Sequence, residues 1–257
     1  MSTRVLVAVK RVVDSSGEPT LTGDGQGLDG RFAGYTIGDH DACAVELGIQ
    51  VAEATGGSVT VVSVGVGESV EQIRGALALG AHAGVLVEAD PVALGPADVA
   101  AELAAVVEGA AADGEPYDLV LLGNDAADTG DFQVPIRLAY AVGRPVVTGA
   151  GTAEVVDGRL VATVNGSHGD ETYEVPLPAV ASVLEGGTEP RYPTLKGRMA
   201  AKKIEVVVRP GVTTPTGGGR VRWHLPEAPP STSEVVGQGP EAAPAVVDLL
   251  ERLGVLR

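Results

Sequence analysis

Apolar positions in this chain first appear as short continuous runs set between amphipathic stretches. Val5 to Val9 is such a run, and a continuous apolar, β-rich segment is what a strand buried on both faces requires. From Asp41 the period changes: Ala44, Leu47, Gly48 and Val51 share one helical face, and Gly56-Gly57 ends the helix. Val59 to Val64 reads as a second buried strand. Ser69 and Gln72 form a capping-box pair opening a helix through Leu79 that Gly80 closes. Val85 to Val87 is the third strand, and Pro96 opens a helix with Val99, Leu103, Val106 and Val107 inward. Leu119 to Leu122 is the fourth strand and Gln133 to Val142 the fourth helix. This alternation predicts an α/β fold, a parallel Rossmann-like sheet with right-handed crossovers.

The rhythm then changes. Pro145 to Thr148 adds a strand, and Ala153 to Val156 and Leu160 to Val164 flank Asp157-Gly158, a two-residue hairpin signal. Thr172 to Val175, Ala179 to Leu184 and Ile204 to Val208 continue as strands. Lys10 to Gly38 is Gly- and Asp-rich and reads as a long connection outside the core. Past Pro210 the chain turns to Gly, Pro, Thr and Ser, the composition of an extended arm. Pro240 to Leu253 reads as a terminal helix with Val246, Leu249, Leu250 and Leu253 on one face. The domain reading is therefore residues 1–209 as an α/β body with an antiparallel hairpin extension, and residues 210–257 as an extended arm whose terminal helix docks either on that body or on a partner.

Charge narrows the function. With 34 Asp+Glu against 18 Lys+Arg the chain carries −16, which argues against nucleic acid, because phosphate neutralisation needs a basic face. A single cysteine, Cys43, excludes an internal disulfide. No apolar run is long enough to span a bilayer and the first residues enter a strand at once, so a cytoplasmic protein without direct membrane insertion is expected. His40, His82, His168 and His224 lack metal-ligand spacing, and only His40 adjoins a candidate site. No serine has nucleophile-elbow context, and neither G-x-G-x-x-G after the first strand nor a Walker A loop is present. Trp223, in the tail, is expected to pack on a partner.

Two stretches carry candidate chemistry. Leu121 to Pro135 reads L-L-G-N-D-A-A-D-T-G-D-F-Q-V-P and joins the fourth strand to the fourth helix. Loops at strand C-terminal ends form the ligand crevice of a parallel sheet, and a helix start offers N–H groups to a phosphate. Gly123 and Gly130 permit close approach, and Thr129 and Gln133 add uncharged donors. Asp125, Asp128 and Asp131 oppose an anion unless they turn elsewhere. The second stretch, Glu189 to Ile204, reads E-P-R-Y-P-T-L-K-G-R-M-A-A-K-K-I and holds Arg191, Lys196, Arg198, Lys202 and Lys203 with no acid after Glu189. A solvated basic loop is the plain reading. An apolar anchor, Leu195, ringed by cations that steer a partner is the sharper one.

That run resembles the signature of electron transfer flavoprotein beta subunits, with Ile204 where a third lysine often stands. R-V-L-V-A-V-K-R-V-V-D, A-L-A-L-G-A and L-P-A-V resemble the same family in the same order, over about residues 4 to 208. The resemblance implies an electron carrier, not a stand-alone enzyme. It would pair with an alpha subunit that holds most of an FAD and on which the 210–257 arm would pack, and would itself bind a structural AMP in the 1–209 body. Acyl-CoA or other flavin dehydrogenases would donate electrons, and a membrane-linked quinone oxidoreductase would accept them. It places the nucleotide at Ala8, at Gly38, Asp39, His40 and Asp41, at Val64, and along Gly123, Asn124, Asp125, Asp128, Thr129, Gly130, Asp131, Phe132, Gln133 and Val134. It places partner docking at Arg191, Leu195, Lys196, Arg198, Lys202 and Lys203.

The chain departs from the family where Phe132-Gln133-Val134-Pro135 replaces Asn-Gln-Thr-Gly and where Gly38-Asp39 replaces Asn-Pro. A nucleotide sensor of the universal-stress type would share the sheet but leaves the basic loop unexplained. An adenylating, pyrophosphate-releasing enzyme lacks its phosphate loop here. A flavin-bifurcating relative with a second FAD in place of AMP stays open.

Overall fold

The computed structural model describes residues 2–14, 19–31, 33–218, 221–227, 233 and 235–256. The first apolar run forms β1 (Arg4–Ala8), in which Val5, Leu6 and Val7 have no exposed surface. In chain order there follow β2 (Val12–Val13), β3 (Tyr35–Thr36), α1 (Asp39–Thr55), β4 (Ser58–Gly65), α2 (Val70–Leu79), β5 (Ala83–Glu88), α3 (Pro96–Ala112), β6 (Leu119–Gly123) and α4 (Val134–Ala141). Then come β7 (Val146–Val156), β8 (Arg159–Gly166), β9 (Gly169–Pro176), β10 (Ala179–Val183), α5 (Leu195–Ala201), β11 (Val206–Pro210) and α6 (Ala243–Arg252). A 9-stranded sheet runs β11-β5-β4-β1-β6-β10-β7-β8-β9. It is parallel from β11 through β7 and antiparallel in the β7-β8-β9 wing.

Strand periodicity sorts the core into two layers. Val5, Val7, Val59 and Val61 pack under α1 and α2 with Leu47, Ile73 and Leu77. Leu6, Val62, Val87 and Val120 face the other way, under α3 and α4 with Leu103, Val107 and Leu138. Truncating Leu6 or Leu103, both at most 2% exposed, to alanine costs about 2–5 kcal/mol by transfer and cavity terms.

The predicted strands and helices are present, and four local expectations change. Ser69 does not cap α2: a 3-10 turn, Gly67–Ser69, precedes the helix, and Ser69 is itself helical at φ −63 and ψ −14. An N-cap needs extended backbone, so the hydroxyl cannot reach the required amide. Gln72 Nε2 instead donates to the Tyr35 carbonyl at 3.4 Å. Pro145 to Thr148 and Ala153 to Val156 are not separate strands but ends of one strand, β7, which passes beside β10 and continues into the wing. Asp157 and Gly158, both at positive φ, close the predicted hairpin. The Lys10 to Gly38 connection is not wholly outside the core, since Val12 is buried and Val12–Val13 pairs with Tyr35–Thr36. The basic stretch is not a plain loop, because it folds as α5.

Two compact units divide the chain, one reaching Trp223 and the other starting at His224. The first part of the 210–257 arm thus belongs with the body: Trp223 N donates to Gly25 O at 2.7 Å and Gln26 Nε2 to Val221 O at 3.0 Å. In the second unit α6 has no buried residue, and Val246 and Leu253 on its apolar face are exposed. No helix of the described residues is long and apolar enough to cross a membrane.

Candidate functional site

From β1 the chain builds β4 and β5 on one side and then returns to place β6 on the other. Strand order reverses between β1 and β6, where an α/β sheet opens its ligand crevice. Ala8 ends β1 and Gly123 ends β6. Asp41, in the first turn of α1, ties the two: Oδ2 accepts from Lys10 N at 2.8 Å and Oδ1 from Gly123 N at 3.2 Å. Burial pushes the Asp41 carboxyl up to about 7, against the pull of those two N–H groups.

His40 joins three elements. Its Nδ1 accepts from Glu185 N at 2.9 Å, so the ring proton sits on Nε2, which faces Asp125 Oδ1 at 2.9 Å. Lys10 Nζ reaches Asp128 Oδ1 at 2.6 Å and Thr129 Oγ1 at 3.4 Å. Asn124 N donates to Val183 O, and its Oδ1 accepts from the buried Ser182 hydroxyl at 2.7 Å. Two of the troublesome carboxylates, Asp125 and Asp128, are thereby turned to His40 and Lys10. The start of α1 has Gly38 as its N-cap and no side-chain cap, which leaves first-turn amides to a ligand or water. Gly38 lies against Ala127, so this helix start and the 123–131 loop share the crevice.

The remaining predicted positions are spread around these. Asp39 is exposed at the head of α1, and Val64 packs toward the α3 and α4 layer. Gly130 takes positive φ in a turn closed by its N–H on Ala126 O at 2.8 Å. Asp131, Phe132 and Gln133 are exposed, and Gln133 Oε1 accepts from Arg137 Nε at 3.0 Å and Nη2 at 2.9 Å. Val134 opens α4, where Pro135 lacks a donor. The crevice thus gathers Ala8, Gly38, His40, Asp41, Gly123, Asn124, Asp125, Asp128 and Thr129, and leaves Asp131 to Gln133 on its rim. Lys10, Ser182 and Glu185 are additions. Lys10 directly follows a buried strand, the signal that could have marked it.

The basic stretch is a braced helix. Thr194 Oγ1 accepts from Gly197 N at 3.0 Å, an N-cap. A Cβ on Gly197 would collide with the Ala78 carbonyl, so glycine is what lets α5 lie on α2. Arg74 Nη1 donates to Ala201 O at 3.0 Å and Ile204 O at 3.3 Å, closing the other end. Arg191 is not among the free cations. It forks onto Glu46, at 2.8 and 2.9 Å, and onto Glu53, at 2.8 and 3.1 Å. Glu53 and Glu46 raise the Arg191 pKa. Burial pushes Glu46 up, but its bonds from Arg191 and Gln50 more than offset this and leave it lowered. Two acids seven apart on one face of α1 are the sequence trace of this pairing. Cys43 Sγ donates to Thr188 O, so the chain entering α5 is laced along α1.

With its base held, the element presents Tyr192 at 89%, Leu195 at 79% and Met199 at 54% exposure. Lys196, Arg198, Lys202 and Lys203 are exposed around them. Between α2 and α5 lies an open depression of about 400 Å³ lined by Leu77, Ala81, Tyr192, Lys196 and Ile204.

The model of the electron transfer flavoprotein domain matches residues 31–211. The electron transfer flavoprotein subunit beta of Syntrophomonas wolfei is 36% identical over 229 residues, covering 89% of this chain and 88% of that protein. Those of Mycobacterium leprae and Homo sapiens are each 35% identical, covering 80% and 81% of this chain and 78% and 82% of theirs. On these matches, the chain belongs to the electron transfer flavoprotein family, among its beta subunits.

Proposed function

We propose that this chain is the AMP-binding half of a cytoplasmic two-subunit electron carrier. It walls one side of an FAD held mainly by the alpha subunit and presents α5 to electron-donating flavin dehydrogenases. A membrane-linked quinone oxidoreductase receives the electrons. The observation that carries this reading is α5 with the residues leading into it: an exposed apolar trio, Tyr192, Leu195 and Met199, ringed by lysine and arginine on a chain of net charge −16. A folded chain exposes such a patch at a site of association, and the surrounding cations select an acidic partner face.

The residues present fit a mononucleotide. The uncapped start of α1 supplies backbone N–H groups to a phosphate, and Asp125 and Asp128 are drawn off by His40 and Lys10. Bound FAD supplies the redox chemistry, taking electrons singly or in pairs. This chain orients and insulates it and carries the docking surface.

The test is mass spectrometry of small molecules released from the co-purified heterodimer. One FAD with one AMP supports the reading, two FAD would replace AMP with a second flavin, and ATP alone would point to a nucleotide sensor.

A further inference from the structure

Between β10 and β7 the pairing slips by one residue. Ala181 faces Val147 but Val183 faces Ala150, so Ser182 stands opposite both Thr148 and Gly149. Gly149 takes φ +73 in this bulge, and its N–H donates to Ser182 Oγ at 3.0 Å. Ser182 has no exposed surface, so its own hydroxyl proton needs an acceptor inside the protein. Asn124 Oδ1, at 2.7 Å, is that acceptor. An amide turned the other way would set its NH₂ against the hydroxyl and leave the serine proton buried with no acceptor. The bulge between β7 and β10 therefore decides which end of the Asn124 amide is free. The main chain is fixed at the same place, because Asn124 N donates to Val183 O at 2.9 Å. Asn124 directly follows Gly123 at the end of β6 and is half-buried in the crevice. Among the described residues its NH₂ meets no acceptor and is not sealed from solvent. The nearby carboxylates do not compete for it, since Asp125 faces His40 and Asp128 faces Lys10.

We propose that Ser182 is a positioning residue for nucleotide binding. Through Asn124 it presents an amide NH₂, and not an amide oxygen, to an acceptor oxygen of the bound nucleotide. The proposal rests on the reading that the crevice holds AMP. A serine that never meets the ligand thus sets the polarity of one wall of the site.

The test uses the full chain with its alpha subunit, stripped of nucleotide, and reads AMP affinity by titration beside melting temperature. Asn124→Asp keeps the bond from Ser182 but turns a carboxylate oxygen to the ligand, so AMP should bind about ten- to a hundredfold more weakly. Ser182→Ala frees the amide to turn over and should weaken AMP about three- to tenfold. In Asn124→Ala there is no amide left to orient. Adding Ser182→Ala to it should cost no further AMP affinity, although melting falls in both backgrounds. AMP held as tightly by Asn124→Asp as by the wild type overturns the proposal, because the ligand then takes no hydrogen bond from Asn124. Unchanged AMP affinity in Ser182→Ala overturns it too, as does a loss that adds in full to Asn124→Ala. A wild-type heterodimer that takes up no AMP overturns the AMP reading and the proposal together. Where Ser182→Ala fails to assemble, Ser182→Cys keeps a weak acceptor for Gly149 N but donates poorly to Asn124, with the same outcomes.

Discussion

Asp41 has almost no access to water, and both its oxygens take backbone N–H groups. Its folded pKa of about 7 lies above the roughly 3.9 of an unfolded aspartate. The folded chain therefore binds more protons than the unfolded one between these values, so this group's contribution to stability falls as pH rises through that window. We predict that urea midpoints decline between about pH 4 and 7, and that Asp41→Asn flattens the decline. The variant should also lose about 1–3 kcal/mol throughout, since an amide NH₂ must face one of the two N–H groups. A slope that persists in Asp41→Asn assigns the titration to another residue.

Asp98 works in the opposite sense. The Gly95 amide and Thr216 hydroxyl hold it at about 2, so its contribution is full above about pH 4 and lost as pH falls toward 2. Arg191 also acts within the fold. Arg191→Lys keeps the charge but not the fork, and should lower thermal stability by about 1.5–3 kcal/mol. Lys196→Glu should leave melting unchanged and slow association with a dehydrogenase, most at low salt. If the two variants behave alike in both assays, the division between brace and steering cation is wrong.

The helix α5 acts as a unit. Burying one leucine is worth about 1.5–3 kcal/mol and each 1.4 kcal/mol is roughly tenfold in affinity. Leu195→Ala should therefore slow dehydrogenase-to-flavin transfer about ten- to a hundredfold, with melting and flavin spectrum unchanged. Melting that falls by several degrees with transfer intact would make Leu195 ordinary core. At the crevice, Lys10→Ala frees Asp128 to repel a phosphate. AMP released from the purified heterodimer should then fall well below one per complex, and undiminished AMP would move the site.

Elements whose burial is set by their own period were legible in the sequence: β1, β4, β6 and the inward faces of α1 and α3. The crevice loops followed from strand order. Ser69 was misread because a capping box describes residue types, not the backbone angles they take. The seven-residue α5 was missed because it rests on Gly197 against Ala78 and on Arg74, contacts that no local pattern contains. Arg191 lies 145 residues from Glu46, and Lys10 lies 118 from Asp128. Charge pairing at such separations becomes visible only once the sheet has assembled.

The whole molecule is acidic with one basic projection, and its second unit carries an amphipathic helix with no buried residue. We predict that the chain expressed alone retains no stoichiometric FAD, and that co-expression with its alpha subunit gives a yellow heterodimer. Full flavin occupancy in the single chain would count against a shared flavin site.

The sheet itself ends at β9, whose outer side meets no further strand among the described residues. An open strand edge is a template on which another copy can grow. Here it carries Asp170, Glu171 and Glu174, most of it exposed. Two such edges brought together would set like charges side by side along their length. Asp170→Asn with Glu174→Gln should leave the fold and the crevice untouched, yet raise light scattering when the chain is concentrated at neutral pH. The acidity of the wing would then be a safeguard against fibre growth, kept where the sheet has no neighbour to close it.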